Sequence, residues 1–160
     1  MYNLTNVIEG ESWYAKVFDA VPDYNESQAP GTGRYQWEIN VAVEQEVYDA
    51  FKEAGFNAGM RLNTGGHVKN DYSQGKPVIT FMRYALLKDG SNNSAPIVVD
   101  NEQQPFTDRI ENRSKIKVQW SEATYGKTTK YKRPILEVVK IVELAKSSDS
   151  NEITIDEALF

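Results

Sequence analysis

The sequence contains no cysteine and a single histidine, His67, among its 160 residues. Disulfide frameworks, thiol nucleophiles and zinc sites built on clusters of cysteine and histidine are therefore excluded. His67 lies in a segment rich in glycine and asparagine, and no pattern in the sequence supplies a partner for it. We therefore predict that His67 lies on the surface and has no catalytic role.

Long apolar runs are also missing, since no window approaches the 18 or so consecutive apolar residues of a membrane-spanning helix. The N-terminus lacks the basic stretch and apolar run of a secretory signal. We therefore expect a soluble, cytosolic protein. A hydrophobic content of 40% is ordinary for a globular chain, so residues 1–146 are expected to form one domain.

The glycine-rich phosphate loop of nucleotide-hydrolysing enzymes is incomplete in this chain. Gly126-Lys127-Thr128 resembles its end, but Ser121 stands where the loop needs another glycine, and strand-like residues follow. The backbone amides that wrap a phosphate are therefore not predicted here, nor is a helix that would point its N-terminus at one.

Charge is distributed unevenly along the chain, although the net charge is only -5. Residues 1–60 carry ten acids and three bases, residues 61–146 nine acids and fifteen bases, and residues 147–160 four acids and no base. A net acidic protein thus contains a basic middle part. This division favours an anionic partner for the body of the protein.

The basic charge is densest in residues 113–133, where seven bases stand against one acid, Glu122, with aromatic residues between them. Cations follow phosphates while rings stack on unpaired bases, so this composition is typical of single-stranded nucleic acid sites. Trp120, like Trp13 and Trp37, is expected to face the core. The predicted DNA-binding residues are Lys115, Lys117, Tyr125, Lys127, Lys130, Tyr131, Lys132 and Arg133.

Hydrophobic periodicity predicts about five or six strands and one helix. In residues 34–43, apolar and polar side chains alternate cleanly, which indicates a strand with one buried face. Residues 44–54 change to a helical period and end before Gly55. Further strands are predicted at residues 12–18, 78–87, 96–100, 115–120 and 134–144. Because no helix separates most strands, a small closed or partly closed barrel is favoured over a parallel sheet.

Two other classes of protein fit parts of the pattern. A metal-dependent nuclease would need converging carboxylates, and the best set is Asp100, Glu102, Asp108 and Glu111. A barrel that acts as an adaptor and binds only protein would have the same basic face, but that face would contact solvent and bind no nucleic acid. Both alternatives stay open on these observations.

Several segments occur in a characteristic order along nearly the whole chain. They are WYAKVFDAVPDY, YQWEINV, TFMRYALL, PIVVD, SKIKVQWSEATY and EVVKIVEL, followed by an acidic tail that ends in Phe160. In this order they resemble the single-stranded DNA-binding proteins of T7-type bacteriophages. The combination of SKIKVQWS with VVKIVEL and the terminal aromatic residue is the most specific part of the resemblance.

The resemblance implies a mainly β fold, a five-stranded oligonucleotide-binding (OB) barrel with one helix between strands 2 and 3. It implies a protein without enzymatic activity or cofactor that coats single-stranded DNA in phage replication, recombination and repair and promotes strand annealing. Tyr125 corresponds to the family's stacking tyrosine, whereas Gln119 replaces a lysine and removes one expected phosphate contact. The implied location is the cytoplasm of the infected bacterial host, and a homodimer is expected.

Residues 147–160 are predicted to form a flexible, disordered acidic tail. The resemblance implies that this tail contacts the phage DNA polymerase and helicase-primase. Its acids can imitate phosphates and occupy the DNA cleft, while its last aromatic ring can replace a stacked base or enter a partner's pocket. The predicted partner-binding residues are Asp149, Glu152, Asp156, Glu157 and Phe160.

Overall fold

The computed structural model describes residues 3–22, 34–56, 60–61, 75–87, 89–125 and 131–145. These residues form, in chain order, β1 (Val7–Pro22), β2 (Tyr35–Ala42), α1 (Gln45–Glu53), β3 (Met60–Arg61), β4 (Val78–Tyr84), β5 (Ile97–Val99), β6 (Lys115–Tyr125) and β7 (Tyr131–Glu143). No helix in this part of the chain is long and apolar enough to cross a membrane. The predicted tail, residues 147–160, lies outside the described residues.

The strands form one sheet in the order β3-β4-β2-β1-β6-β7-β5. A further parallel pairing of β4 with β7, through Met82 and Ile135, closes the sheet on itself. Strands β1, β2, β4, β6 and β7 therefore make a closed barrel of five strands. The predicted fold is confirmed: the protein is mainly β, and α1 lies between the second and third strands of the barrel.

The alternation predicted for β2 is present, since Trp37, Ile39 and Val41 are buried in phase. The opposite face of the strand is less polar than expected. Asn40 is only 7% exposed, and Ala42 packs with Trp13 and Val78 in a second, smaller cluster. The sequence pattern placed the buried face correctly from Trp37 onward, but it missed the exposure of Tyr35 and the burial of part of the outer face.

Helix α1 is amphipathic and packs its apolar face against the core of the barrel. It buries Val47, Tyr48 and Phe51, and it ends where Gly55 adopts a φ of 95°, a conformation that favours glycine. The ring of Phe51 lies 4.8 Å from Trp120 and 5.2 Å from Phe56, measured between ring centroids. The predicted core position of Trp120 is confirmed, and the aromatic cluster fixes the helix to β6.

Strand β1 begins earlier than the pattern predicted, at Val7 instead of Ser12. Its first half pairs with β6 and its second half with β2, so one strand serves both sides of the barrel. A Cβ atom at Gly10 would overlap the carbonyl oxygen of Ala42 and the side chain of Val41. Only glycine allows β1 and β2 to approach this closely, and the requirement is tertiary, so local propensity does not show it.

The turn predicted around Asp89-Gly90 is confirmed. The N–H of Leu87 donates to the carbonyl of Ser91 at 2.8 Å, and Gly90 adopts a φ of 85°. The hydroxyl and the N–H of Ser91 donate to Asp89 Oδ1 at 2.5 and 2.9 Å. These hydrogen bonds lower the pKa of the Asp89 carboxyl below its ordinary value.

Candidate nucleic-acid interface

The described members of the predicted DNA-binding set lie on β6 and β7, the last two strands of the barrel. The side chains of Lys115, Lys117, Lys132 and Arg133 are described. Tyr125 and Tyr131 form the final backbone pair of the β6–β7 hairpin, and their side chains lie outside the described part. Also outside the described residues are Lys127, Lys130 and the tail residues Asp149, Glu152, Asp156, Glu157 and Phe160.

These residues do not form one compact site, because β6 separates them. Lys115 begins the strand and Tyr125 ends it, 11 residues in all. At a rise of ~3.3 Å per residue, the two positions are on the order of 30 Å apart. A nucleic acid strand that contacts both ends of β6 must therefore run along the barrel for several nucleotides.

Lys115 and Lys117 project from the outer face of β6, while Ile116 and Val118 between them are fully buried. Lys115 lies 3.6 Å from Glu143, and the two side chains are 69% and 70% exposed. Such an exposed pair contributes little to stability, so the ammonium can exchange the carboxylate for a phosphate. Lys117 stands in register between an acid on β1 and Lys140 on β7.

Lys132 occupies a different environment from the other cations. Its ammonium donates to the carbonyl oxygen of Ala54 at 2.5 Å and lies 2.5 Å from the carboxylate of Glu122. It also lies 4.8 Å from the centre of the Phe56 ring. A cation at the C-terminal end of α1 hydrogen-bonds a carbonyl that has no partner within the helix, and it also interacts favourably with the helix dipole. The geometry thus makes Lys132 an anchor between the hairpin and the helix.

Arg133 lies beside the closure of the barrel, where its guanidinium contacts the sulfur of Met82. At the same closure, Arg83 pairs with Glu137 at 3.1 Å and donates to the carbonyl of Ser94 at 2.7 Å. Glu137 also accepts a hydrogen bond from the hydroxyl of Ser121 at 2.7 Å. In the described structure, the backbones of β4 and β7 pair at Met82 and Ile135, and the side-chain contacts of Arg83 add a second connection between these strands.

A second group of candidate residues lies where β2 begins and β4 ends. Arg34 donates to the hydroxyl of Tyr84 at 3.2 Å, and its guanidinium lies 5.1 Å from the centre of that ring. Tyr35, the next residue, is 41% exposed, but its side chain alternates to the opposite face of β2. We call Arg34 and Tyr84 the Arg34 patch. The outer face of the second and third barrel strands is where OB folds bind oligonucleotides, so the patch is well placed.

The sequence prediction missed the Arg34 patch, although a signal for it exists. The dipeptide Arg-Tyr occurs at Arg34-Tyr35 and again at Arg83-Tyr84. The pairing of β2 with β4 brings the two dipeptides together, as the N–H of Ala85 donates to the carbonyl of Tyr35 at 2.9 Å. The contact between Arg34 and Tyr84 depends on how β2 pairs with β4, so strand register can reveal it and composition cannot.

The carboxylates proposed for a nuclease do not converge. Asp100 Oδ1 accepts hydrogen bonds from the backbone N–H groups of Glu102 and Gln104, both at 2.9 Å, so its carboxylate stabilises a turn. Glu111 pairs with Arg109 at 3.4 Å. Within the described residues, no group of three or more acidic or histidine side chains is arranged to hold a metal ion. The geometry gives the nuclease hypothesis no support.

Comparison with solved structures shows what this barrel resembles. The single-stranded DNA-binding protein from bacteriophage Enc34, solved in complex with ssDNA, aligns with a TM-score of 0.59 and 10% identity over 89% of each chain. The chain has the fold of phage single-stranded DNA-binding proteins. Bacteriophage T7 gp2.5, a single-stranded DNA-binding protein, aligns with a TM-score of 0.51 and 17% identity over 92% of this chain and 98% of that one.

The resemblance noted in the sequence is thus confirmed at the level of the fold. Two further structures of the Enc34 protein, one of them a C-terminal truncation, each align with a TM-score of 0.53. No protein-family model matches the chain, and no curated protein matches it by sequence. With identities of 10–17%, the likeness extends to the backbone and leaves the side chains of the site to be argued individually.

Proposed function

We propose that this protein binds single-stranded DNA without sequence specificity. The observation that carries the proposal is its fold, which matches over 89% of its length a phage protein solved with ssDNA bound. The basic charge of residues 113–133, seven bases against one acid, supports it independently. Phosphates are common to all sequences and every base has a stacking face, so cations with aromatic rings favour sequence-tolerant binding.

In the proposed complex, the cations of β6, of residues 126–130 and of the start of β7 contact phosphates, and rings stack on bases. Lys115, Lys117, Lys127, Lys130 and Arg133 supply the charge, while Tyr125 and Tyr131 are the stacking residues. The Arg34 patch extends this surface across β2 and β4. Lys132 serves the site indirectly, because its contacts with α1 hold the hairpin from which these side chains project.

The wider role proposed for the protein is that of a non-enzymatic phage protein in DNA replication, recombination and repair. It coats single strands, promotes their annealing and works in the cytoplasm of the infected bacterial host as a homodimer. The charge division supports a regulatory tail, since four acids and no base follow the basic barrel. The acids of this tail compete with DNA for the cations of the barrel; they are Asp149, Glu152, Asp156 and Glu157. Phe160 binds a pocket of the DNA polymerase or of the helicase-primase.

A gel-shift titration with a poly-dT oligomer at low salt tests the proposal. We expect retardation of the single strand and weaker retardation of a duplex of equal length, with little difference between single-strand sequences. A protein-only adaptor would retard neither. Incubation of labelled strands with magnesium or manganese is the companion assay, and we expect the DNA to stay intact. Cleavage that disappears in Asp100→Ala would replace this function with a nuclease.

A further inference from the structure

Tyr14 adopts a backbone conformation that aromatic residues rarely take. Its φ is 49°, in the left-handed region, where a side chain with a Cβ atom is disfavoured. It lies in an irregular part of β1, where the pairing with β2 shifts between Trp13 and Lys16. Bulges of this kind often turn a side chain toward a ligand. Here the bulge leaves Tyr14 50% exposed.

The surrounding structure holds the bulge in place through the segment before β6. The N–H of Tyr14 donates to Asn112 Oδ1 at 2.8 Å, and the N–H of Arg113 donates to the carbonyl of Ser12 at 2.7 Å. Ser12 also donates its N–H to the carbonyl of Ser114 at 2.9 Å. Strained residues persist where neighbours define their conformation this fully, and they concentrate at functional sites.

The exposed ring stands beside another aromatic residue, Trp13, which in turn lines a cavity with basic groups. The ring of Trp13 lies 6.1 Å away at an interplanar angle of 53°. Trp13, Asn112, Arg113 and Lys115 contribute to the lining of the cavity, which has a volume of about 660 Å³. The cavity also has acidic lining, so its cations are not isolated.

The carboxylates near these cations are placed for weak pairing. Arg113 lies 3.8 Å from Glu11 and keeps 53% of its side-chain exposure, and Lys115 lies 3.6 Å from Glu143. The pair of Lys115 with Glu143 is exposed on both sides and the pair of Arg113 with Glu11 is long, so each contributes little and a phosphate can replace the carboxylate. Residues 109–117 contribute four basic residues and one acid to this end of β6, where Glu11 of β1 and Glu143 of β7 also line the cavity.

We propose that Tyr14 stacks on a base of single-stranded DNA and that Arg113 and Lys115 contact the adjacent phosphates. This second contact region lies at the opposite end of β6 from Tyr125, because Asn112 and Lys115 adjoin the start of that strand. The inference rests on the proposed single-stranded DNA binding. It adds that a strand must be long enough to span on the order of 30 Å before both regions are engaged.

The test compares dT oligomers of about 4 and about 20 nucleotides, since the shorter one cannot reach both ends of β6. We expect Tyr14→Ala to bind the longer oligomer at least ~5-fold more weakly and the shorter one within ~2-fold of wild type, from the usual strength of base stacking. Tyr14→Phe keeps the ring and should bind both like wild type. Phe18→Ala removes another exposed aromatic ring from the same strand and is the matched control.

Tyr14→Gly separates folding from binding. Glycine adopts the observed φ without strain, so this variant should melt at or above the wild-type temperature and still lose affinity for the longer oligomer. Wild-type affinity in a folded Tyr14→Ala or Tyr14→Gly would overturn the inference, as would an equal loss in Phe18→Ala or for both oligomer lengths. Failure of the wild type to bind any dT oligomer would instead refute the proposed function.

Discussion

Replacing Lys132 with methionine tests whether this lysine anchors the β6–β7 hairpin or contacts DNA directly. The substitution keeps an unbranched side chain but removes the ammonium that binds Ala54 and Glu122. A hydrogen bond to a charged group contributes about 1.5–3 kcal/mol, and a cation at a helix C-terminus about 0.3–1 kcal/mol. The side chains of Lys132 and Glu122 remain 27% and 49% exposed, so solvent weakens the ion pair.

We therefore expect Lys132→Met to lower the free energy of unfolding by about 2 kcal/mol. For a chain of this length, that is a fall of about 4–8 °C in Tm, measurable by urea and thermal unfolding. Glu122→Gln should lose less, because Lys132 keeps its hydrogen bond to Ala54. The double variant should lose less than the sum of the single losses, because the two residues share one interaction.

DNA binding separates the two roles of Lys132. Each phosphate contact contributes about 0.7 to the slope of log affinity against log salt for single strands. Lys117→Ala should reduce this slope by about that amount and leave Tm nearly unchanged. Lys132→Met should weaken binding with an unaltered slope. If Lys132→Met kept wild-type stability and reduced the slope as Lys117→Ala does, the anchoring role would be refuted.

Three further substitutions or deletions give independent predictions. Gly10→Ala should destabilise the barrel by about 1–3 kcal/mol in urea unfolding, since its Cβ overlaps β2, and wild-type stability would contradict the close approach. Tyr125→Ala should cost about 1–3 kcal/mol of affinity for every single-strand sequence, and equal binding would remove it from the site. Deleting residues 147–160 should tighten DNA binding and abolish polymerase contact in a pull-down, whereas weaker DNA binding would refute competition by the tail.

The sequence predicted elements whose pattern is local. The alternation in β2 and the change of period at α1 were sufficient to place both, because each pattern depends on neighbours along the chain. The first half of β1 escaped prediction, since Glu9, Gly10 and Glu11 are poor strand formers. Their strand conformation comes from pairing with β6 and from the room that Gly10 leaves for β2.

Composition identified the basic segment but could not show what each cation does. Lys132 and Lys117 look alike in the sequence, yet the carbonyl that Lys132 binds lies 78 residues earlier in the chain. Tyr14 is a second example, since the sequence predicted an ordinary strand at this position. Hydrogen bonds that join Ser12 and Tyr14 to residues 112–114 hold this positive φ in place, and no local pattern shows these contacts between distant parts of the chain.

Equilibrium titration of the full-length protein with fluorescently labelled oligomers tests the central claim most directly. Anisotropy should be followed with poly-dT, a mixed-sequence single strand and a duplex of the same length, between about 50 and 200 mM salt. The account predicts similar affinity for the two single strands, weaker affinity for the duplex, and a steep decline as salt rises. Absence of binding to both single strands at the lowest salt, or a preference for the duplex, would contradict it.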